Sequence, residues 1–363
     1  MTLDDILDDA LACGASDIFL GADEVPRYRI TGRLVARGDV PIPSDRLADM
    51  LYHTLRPWEI ERLDAEHEID SALERRGDFR FRLNIFLRRG GMAAVIRPIP
   101  INIPSPQELG LSEALVRLLE VGNGLILVTG RTGSGKSTMC ASFLEYINQI
   151  REAHIVTFED PIEFVFEPRR CTISQRQVGE HTPSYNAALR AVLRQSPDIV
   201  YVGEMRDRDT IEATLSIAET GQLVLANLHT SSASQTVHRI VDVFTPAQRA
   251  QISVQLANSL NAVICQVLLP RVDGQALVPA REVMLGTPAV LNLIRKGEAH
   301  QLYSAIESSG SRDMHTMDQS LAGLVHRGLI AVDVARAHAH DIESLESLLR
   351  SGSSGRHAST GGW

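Results

Sequence analysis

Gly130-Arg131-Thr132-Gly133-Ser134-Gly135-Lys136-Ser137 meets every fixed position of a Gly-x4-Gly-Lys-Ser/Thr loop. Residues of these types at this spacing hold phosphate. Glycines let successive backbone N–H groups converge on phosphate oxygens, and a helix starting directly behind them adds a favourable dipole. Lys136 is then placed to reach the β- and γ-phosphates, and the Ser137 hydroxyl to ligate Mg²⁺. The flanks agree. Gly124-Leu125-Ile126-Leu127-Val128-Thr129 reads as a buried strand, and Ser137-Thr138-Met139-Cys140-Ala141 opens a helix. A chance glycine-rich turn lacks that frame. Residues Gly130 to Thr138 are therefore expected to bind a nucleoside triphosphate. The loop reads phosphates and leaves the base unspecified.

Hydrolysis asks for more than a phosphate cradle: carboxylates that organise Mg²⁺ and orient water, and positive charge on the transferring group. Three apolar runs end in such residues. Ile155–Phe158 leads into Glu159-Asp160-Pro161-Ile162-Glu163, Asp198–Val202 into Gly203-Glu204, and Leu223–Leu228 into His229-Thr230. Glu204 stands where a Walker B acid belongs. Among the acids of the first cluster, Glu163 competes with Glu159 and Asp160 for one role. Each of these also has a plainer reading, as a solvated loop acid or, for His229, as a packed strand end.

The elements that must position these residues fall into two patterns. From about residue 110 onward, strand and helix alternate, which implies an α/β domain with a mostly parallel sheet and its functional residues at the carboxyl ends of the strands. The first hundred residues suggest a small α+β sheet domain. There is a hairpin over Val25–Leu34 turning near Thr31-Gly32, and a helical stretch over Ser44–Ala65 broken at Pro57. Two strands follow, around Phe79–Phe86 and Met92–Arg97, joined at Gly90-Gly91. Pro98 to Pro106 holds four prolines and reads as a semi-stiff connector. Domains are thus expected at 1–100 and 113–350, with a linker at 101–112 and a Gly/Ser-rich disordered tail at 351–363.

Composition narrows the function. A formal net charge of −9 argues against a dedicated nucleic-acid binder, so no nucleic-acid partner is expected. The start, Met1 to Asp9, is acidic and amphipathic, unlike a signal peptide, and no apolar run is long enough for a membrane span. Cys13, Cys140, Cys171 and Cys265 form no CxxC pair, which fits reduced thiols in the cytoplasm.

Several strings carry a family likeness. Thr157-Phe158-Glu159-Asp160-Pro161-Ile162-Glu163-Phe164, Val202-Gly203-Glu204-Met205-Arg206-Asp207 and Asn227-Leu228-His229-Thr230 resemble the Asp, Walker B and His boxes of the secretion-ATPase superfamily, and within it the type IV pilus retraction ATPases. Ser16-Asp17-Ile18, Ser174–Gly179, Ala218–Gly221 and Arg239–Phe244 support the likeness, which runs from about residue 3 to about residue 335. The resemblance implies a PAS-like N-terminal domain and a RecA-like C-terminal one, with ATP and Mg²⁺ as ligands. It implies that Glu204 supports the metal site, Glu163 polarises the attacking water and His229 senses the γ-phosphate region. Arg82 and Arg97 match arginines that reach the nucleotide when domains close; without the family, a structural ion pair on a strand face is the stronger reading of both. The resemblance further implies a homo-hexamer working on an inner-membrane platform protein of a pilus or secretion machine, in the cytoplasm at the base of that machine.

Two positions depart from the pattern. Gln222 replaces the first histidine of the His box. In Ala289-Val290-Leu291-Asn292-Leu293-Ile294-Arg295-Lys296, Leu291 replaces an arginine and Lys296 reverses a charge. Alternatives to a retraction motor are a similar ATPase of a conjugation or type IVB secretion machine, and a nucleotide-gated accessory subunit that scarcely hydrolyses.

Overall fold

The computed structural model describes residues 2–74, 79–274, 276–309 and 313–354. The chain divides into two compact units: residues 1–103 with Glu163–Val165, and Pro104–Ile162 with Phe166 onward.

The first unit carries helices α1 (Leu3–Ala12), α2 (Ser44–Tyr52) and α3 (Pro57–Glu66). Its strands are β1 (Asp17–Gly21), β2 (Arg27–Ile30), β3 (Arg33–Ala36), β4 (Glu68–Glu74), β5 (Phe79–Arg88) and β6 (Gly91–Pro100). They form an antiparallel sheet in the order β3-β2-β1-β6-β5-β4. The expected hairpin turns at Thr31 and Gly32, both at positive φ, as a tight two-residue connection requires. Pro57 opens α3 at its first turn, where a missing N–H costs nothing.

Alternation along β5 sets the layers. Phe81, Leu83 and Ile85 are fully buried with Ile6 and Leu7 of α1, Leu47 and Leu51 of α2 and Leu63 of α3. Each such side chain contributes about 1.5–3 kcal/mol by leaving water. The intervening Arg80, Arg82 and Asn84 take the opposite face.

One expectation needs correction here. Pro98 does not begin a connector; it pairs with Phe81 near the end of β6. Pairing of β6 with β1 covers only Ala93–Ile96, so from Arg97 onward the strand is bonded on one side, where a residue lacking N–H is tolerated.

The second unit contains α4 (Glu113–Leu118), β7 (Gly124–Thr129), α5 (Lys136–Ile150), β8 (His154–Glu159), β9 (Thr172–Gln177), α6 (Tyr185–Val192), β10 (Ile199–Val202) and α7 (Arg208–Glu219). It continues through β11 (Leu223–Leu228), α8 (Ala233–Asp242), α9 (Pro246–Ser259), β12 (Leu260–Pro270), β13 (Leu277–Leu285) and α10 (Pro288–Arg295). The chain then runs through α11 (Leu302–Glu307), α12 (Met317–His326), α13 (Val332–His338) and α14 (Ile342–Ser354). The sheet order is β13-β12-β7-β11-β10-β8-β9, parallel except for β13. β7, β10 and β11 are buried along their whole length, as both-face coverage by helices demands. The fold is mixed α/β, with an antiparallel sheet in the N-terminal unit and a mostly parallel sheet in the C-terminal one.

The tail expectation also changes. Residues 351–354 continue α14, whose Leu345 is fully buried and whose Leu348 and Leu349 pack on the cluster around Leu321 and Leu324. Packing of that apolar stripe propagates the helix through the adjoining polar residues. Positions 355–363 lie outside the described residues. No described helix is long and apolar enough to cross a membrane.

Candidate nucleotide site

β7 delivers the chain to the phosphate loop, and α5 begins at Lys136 behind an N-cap glycine, Gly135, at φ 84°. The glycines are required by their surroundings. At Gly130, with φ 144°, a Cβ would lie 2.3 Å from the Gln266 carbonyl oxygen and 2.5 Å from Ser134 Oγ. At Gly135 it would lie 2.8 Å from Gln266 Nε2. Both positions combine a close approach with a backbone conformation that favours glycine.

The cradle is polar and open to an anion. Ser134 Oγ is buried and has no hydrogen-bond partner among the described residues. Arg131, Thr132 and Gly133 are exposed, while Ser137 and Thr138 are half-buried at the start of α5. These features fit a phosphate group, and the hydroxyl of Ser137 with the carboxylate of Glu204 offers the hard oxygen donors that Mg²⁺ prefers.

Lys136 is 8% exposed, and its ammonium donates to the carbonyls of Gly130 (2.7 Å) and Arg131 (3.1 Å). It also lies 3.3 Å from His229 Nδ1. On the far side of the ring, His229 Nε2 is 3.1 Å from Glu204 Oε1, and Arg206 Nη2 is 2.8 Å from Glu204 Oε2. The two ring contacts suit a neutral imidazole that donates from Nε2 and accepts at Nδ1. The second unit therefore brings Lys136, His229 and Glu204 into one line from the ends of three adjacent strands.

The acidic cluster resolves unevenly. Glu159 is buried and accepts hydrogen bonds from Thr157 Oγ1 (2.6 Å) and Gln175 Nε2 (3.3 Å), so its carboxylate is already committed. Asp160 is exposed. Glu163 groups with the first unit, where its Oε1 is 3.7 Å from Arg82 Nη1.

The two arginines face each other across strands. Arg82 and Arg97 are register partners on β5 and β6. Arg97 donates to Asp17 Oδ1 from Nε (2.9 Å) and Nη2 (2.7 Å), and Arg29 Nε lies 3.4 Å from Asp17 Oδ2. Arg82 Nη2 is 3.6 Å from Asp70 Oδ1. A charged row thus crosses the sheet through Arg29, Asp17, Arg97 and Arg82 to Asp70. Like charges placed directly opposite are unfavourable, and the flanking acids hold them.

Gln222 precedes β11, whereas His229 follows it. Seven residue steps at about 3.3 Å each set them roughly 23 Å apart, at opposite ends of β11. In α10, Val290 and Ile294 are buried, and Leu291 packs against the same core.

Three residues of this region were not singled out by spacing. Gln266 on β12 and Arg281 on β13 are register partners. Gln266 Nε2 donates to Ser134 O at 2.6 Å, and Arg281 Nε donates to Gln266 Oε1 at 2.7 Å. Burial pushes the Arg281 guanidinium down to about 10. Glu282, 1% exposed, accepts from Ala233 N (2.6 Å) at the start of α8 and Met317 N (3.3 Å) at the start of α12, where helix dipoles favour a carboxylate.

A strand, a glycine loop around a buried lysine and a helix on a mostly parallel sheet define a phosphate-loop nucleotide-binding protein. Comparison with known proteins narrows this. The family described as "Type II/IV secretion system protein" matches residues 1–338, and the chain belongs to that family. It is 43% identical over 326 residues to the type IV pilus retraction ATPase PilT of Pseudomonas aeruginosa, covering 90% of this chain and 94% of that protein. It is 40% identical over 320 residues to a twitching motility protein of Neisseria gonorrhoeae, covering 88% and 86%. A crystal structure of the pilus retraction motor PilT with bound ADP superimposes with a TM-score of 0.86 at 41% identity, covering 96% of this chain and 99% of that one.

Proposed function

We propose that this protein is an ATP-hydrolysing motor that drives retraction of a type IV pilus. The observation that carries the reading is near full-length identity of 43% to a retraction ATPase, in a chain whose Lys136, His229 and Glu204 stand in one line. The loop from Gly130 to Thr138 holds the phosphates, with Lys136 on the β and γ groups. Ser137 and Glu204 would hold Mg²⁺, which neutralises charge on the transferring phosphoryl group. His229 braces Glu204 against the loop. Glu163 orients the attacking water, and Arg82 and Arg97 supply positive charge to the γ-phosphate when presented by this subunit or a neighbour. Six copies acting as a ring on an inner-membrane platform protein, from the cytoplasmic side, complete the reading.

Phosphate release by purified protein, beside Lys136→Ala and Glu204→Ala, tests the enzyme. Deleting the gene tests the machine. Surplus unretracted pili are expected, whereas unchanged pili with lost substrate or DNA transfer would assign the motor to a secretion channel.

A further inference from the structure

The phosphate loop has a backing that its own residues do not supply. Gln266 sits on β12, beside the end of β7, and the loop wraps around it. Its backbone carbonyl oxygen faces Gly130, and its side-chain Nε2 both faces Gly135 and donates to Ser134 O at 2.6 Å. An amide can turn over and present its oxygen instead, which would set acceptor against acceptor. Arg281 removes that option: Nε donates to Gln266 Oε1 at 2.7 Å, so the nitrogen must face Ser134. The same guanidinium donates to Leu109 O at 2.6 Å and Gly110 O at 3.4 Å. Its fork is thus shared between the loop's backing and the segment just ahead of α4.

We infer that Gln266 and Arg281 are positioning residues for ATP binding: Arg281 fixes the orientation of the Gln266 amide, and Gln266 fixes the curvature of the phosphate loop. The pair acts as one unit, with Leu109 and Gly110 anchoring its far end. This rests on the loop binding ATP, as proposed above. Neither side chain reaches the reacting atoms, so the pair serves the bound ground state and the transition state alike, and its loss appears in KM before kcat.

The full-length protein with ATP and Mg²⁺ is the system to measure. Gln266→Ala is expected to raise both the Kd for ATP and KM about tenfold, with kcat within about threefold of wild type. Arg281→Ala raises KM less. The double variant is no worse than Gln266→Ala alone, because the two residues act in series. Arg281→Lys does not restore affinity, since an ammonium cannot reproduce the fork.

A KM for Gln266→Ala within twofold of wild type, or additive costs in the double variant, overturns the inference. Where Gln266→Ala fails to fold, Gln266→Glu keeps the shape without the N–H donor. Weakened ATP binding then supports the pair, and wild-type affinity overturns it. Failure of the underlying reading looks different, because wild-type protein would then not hydrolyse ATP or Lys136→Ala would leave hydrolysis intact.

Discussion

In the second unit the residues proposed to hold phosphate, Gly130 to Thr138, follow one another along the chain; in the first, the charged row is drawn from five strands, one residue from each. The loop is local. Its glycines and Lys136 owe their geometry to one strand–turn–helix passage, and neighbours such as Gln266 refine it. The row exists only through register. Arg29, Asp17, Arg97 and Arg82 line up because three antiparallel pairings bring them abreast, and a slip of one residue would turn each to the helix-covered face. A local site takes its shape from one passage of chain and the few side chains that back it; a row built from register shares the stability of its whole sheet.

The first way to break this contrast is at Lys136. Lys136→Ala is expected to lower ATP hydrolysis by about 10³-fold or more, and removing Mg²⁺ with a chelator to do the same, both read as phosphate release. Next, Arg82→Ala and Arg97→Ala should each cut kcat by about 10²-fold with KM within about threefold of wild type. A rise in KM instead would make the row a binding element like the loop, and the contrast would fail.

Asp17→Asn addresses the row as structure. Loss of the buried carboxylate that accepts from Arg97 is expected to destabilise the protein by about 1–3 kcal/mol in denaturant unfolding, while ATP affinity stays at the wild-type value. The smallest effect concerns the buried carboxylate of Glu282 in the second unit. His340 is raised by its contact with the Glu282 carboxylate, with Asp318 nearby. A raised imidazole stabilises below its unfolded value near 6.5 and loses that contribution as pH climbs through the folded value. Between pH 6 and 8 the melting temperature should therefore fall more in wild type than in His340→Asn. His315, which burial holds down, works in the opposite sense in both proteins and cancels from the difference.

These contrasts also explain what the sequence disclosed. The strand, glycine loop and helix around Lys136, the α+β first unit and the alternating second unit were legible because each is written in contiguous periodicity or fixed spacing. Register was not. That Arg82 faces Arg97 follows from pairing β5 with β6, and that Asp17 holds Arg97 follows from a partner 80 residues away. Glu159 could not be set apart from Glu163 by spacing, because what separates them is the hydroxyl of Thr157 and the amide of Gln175, already bonded to Glu159. Gln266 gave no signal at all. A glutamine in an apolar run near Cys265 reads as an interruption until the loop is seen wrapped around it. Pro98 misled in the other direction, since proline marks a break only where a strand needs donors on both sides.

The pair Arg281 and Glu282 has one more consequence. As successive residues of a strand they point to opposite sides of the sheet, a cation toward the phosphate loop's backing and an anion toward the first N–H groups of α8 and α12. Sliding β13 by a single rung would exchange them. Negative charge would then stand behind the seat of a triphosphate, and positive charge would meet two helix starts that repel it. The only antiparallel strand of that sheet among the described residues is therefore locked in place by the sign of its charges as well as by its hydrogen bonds.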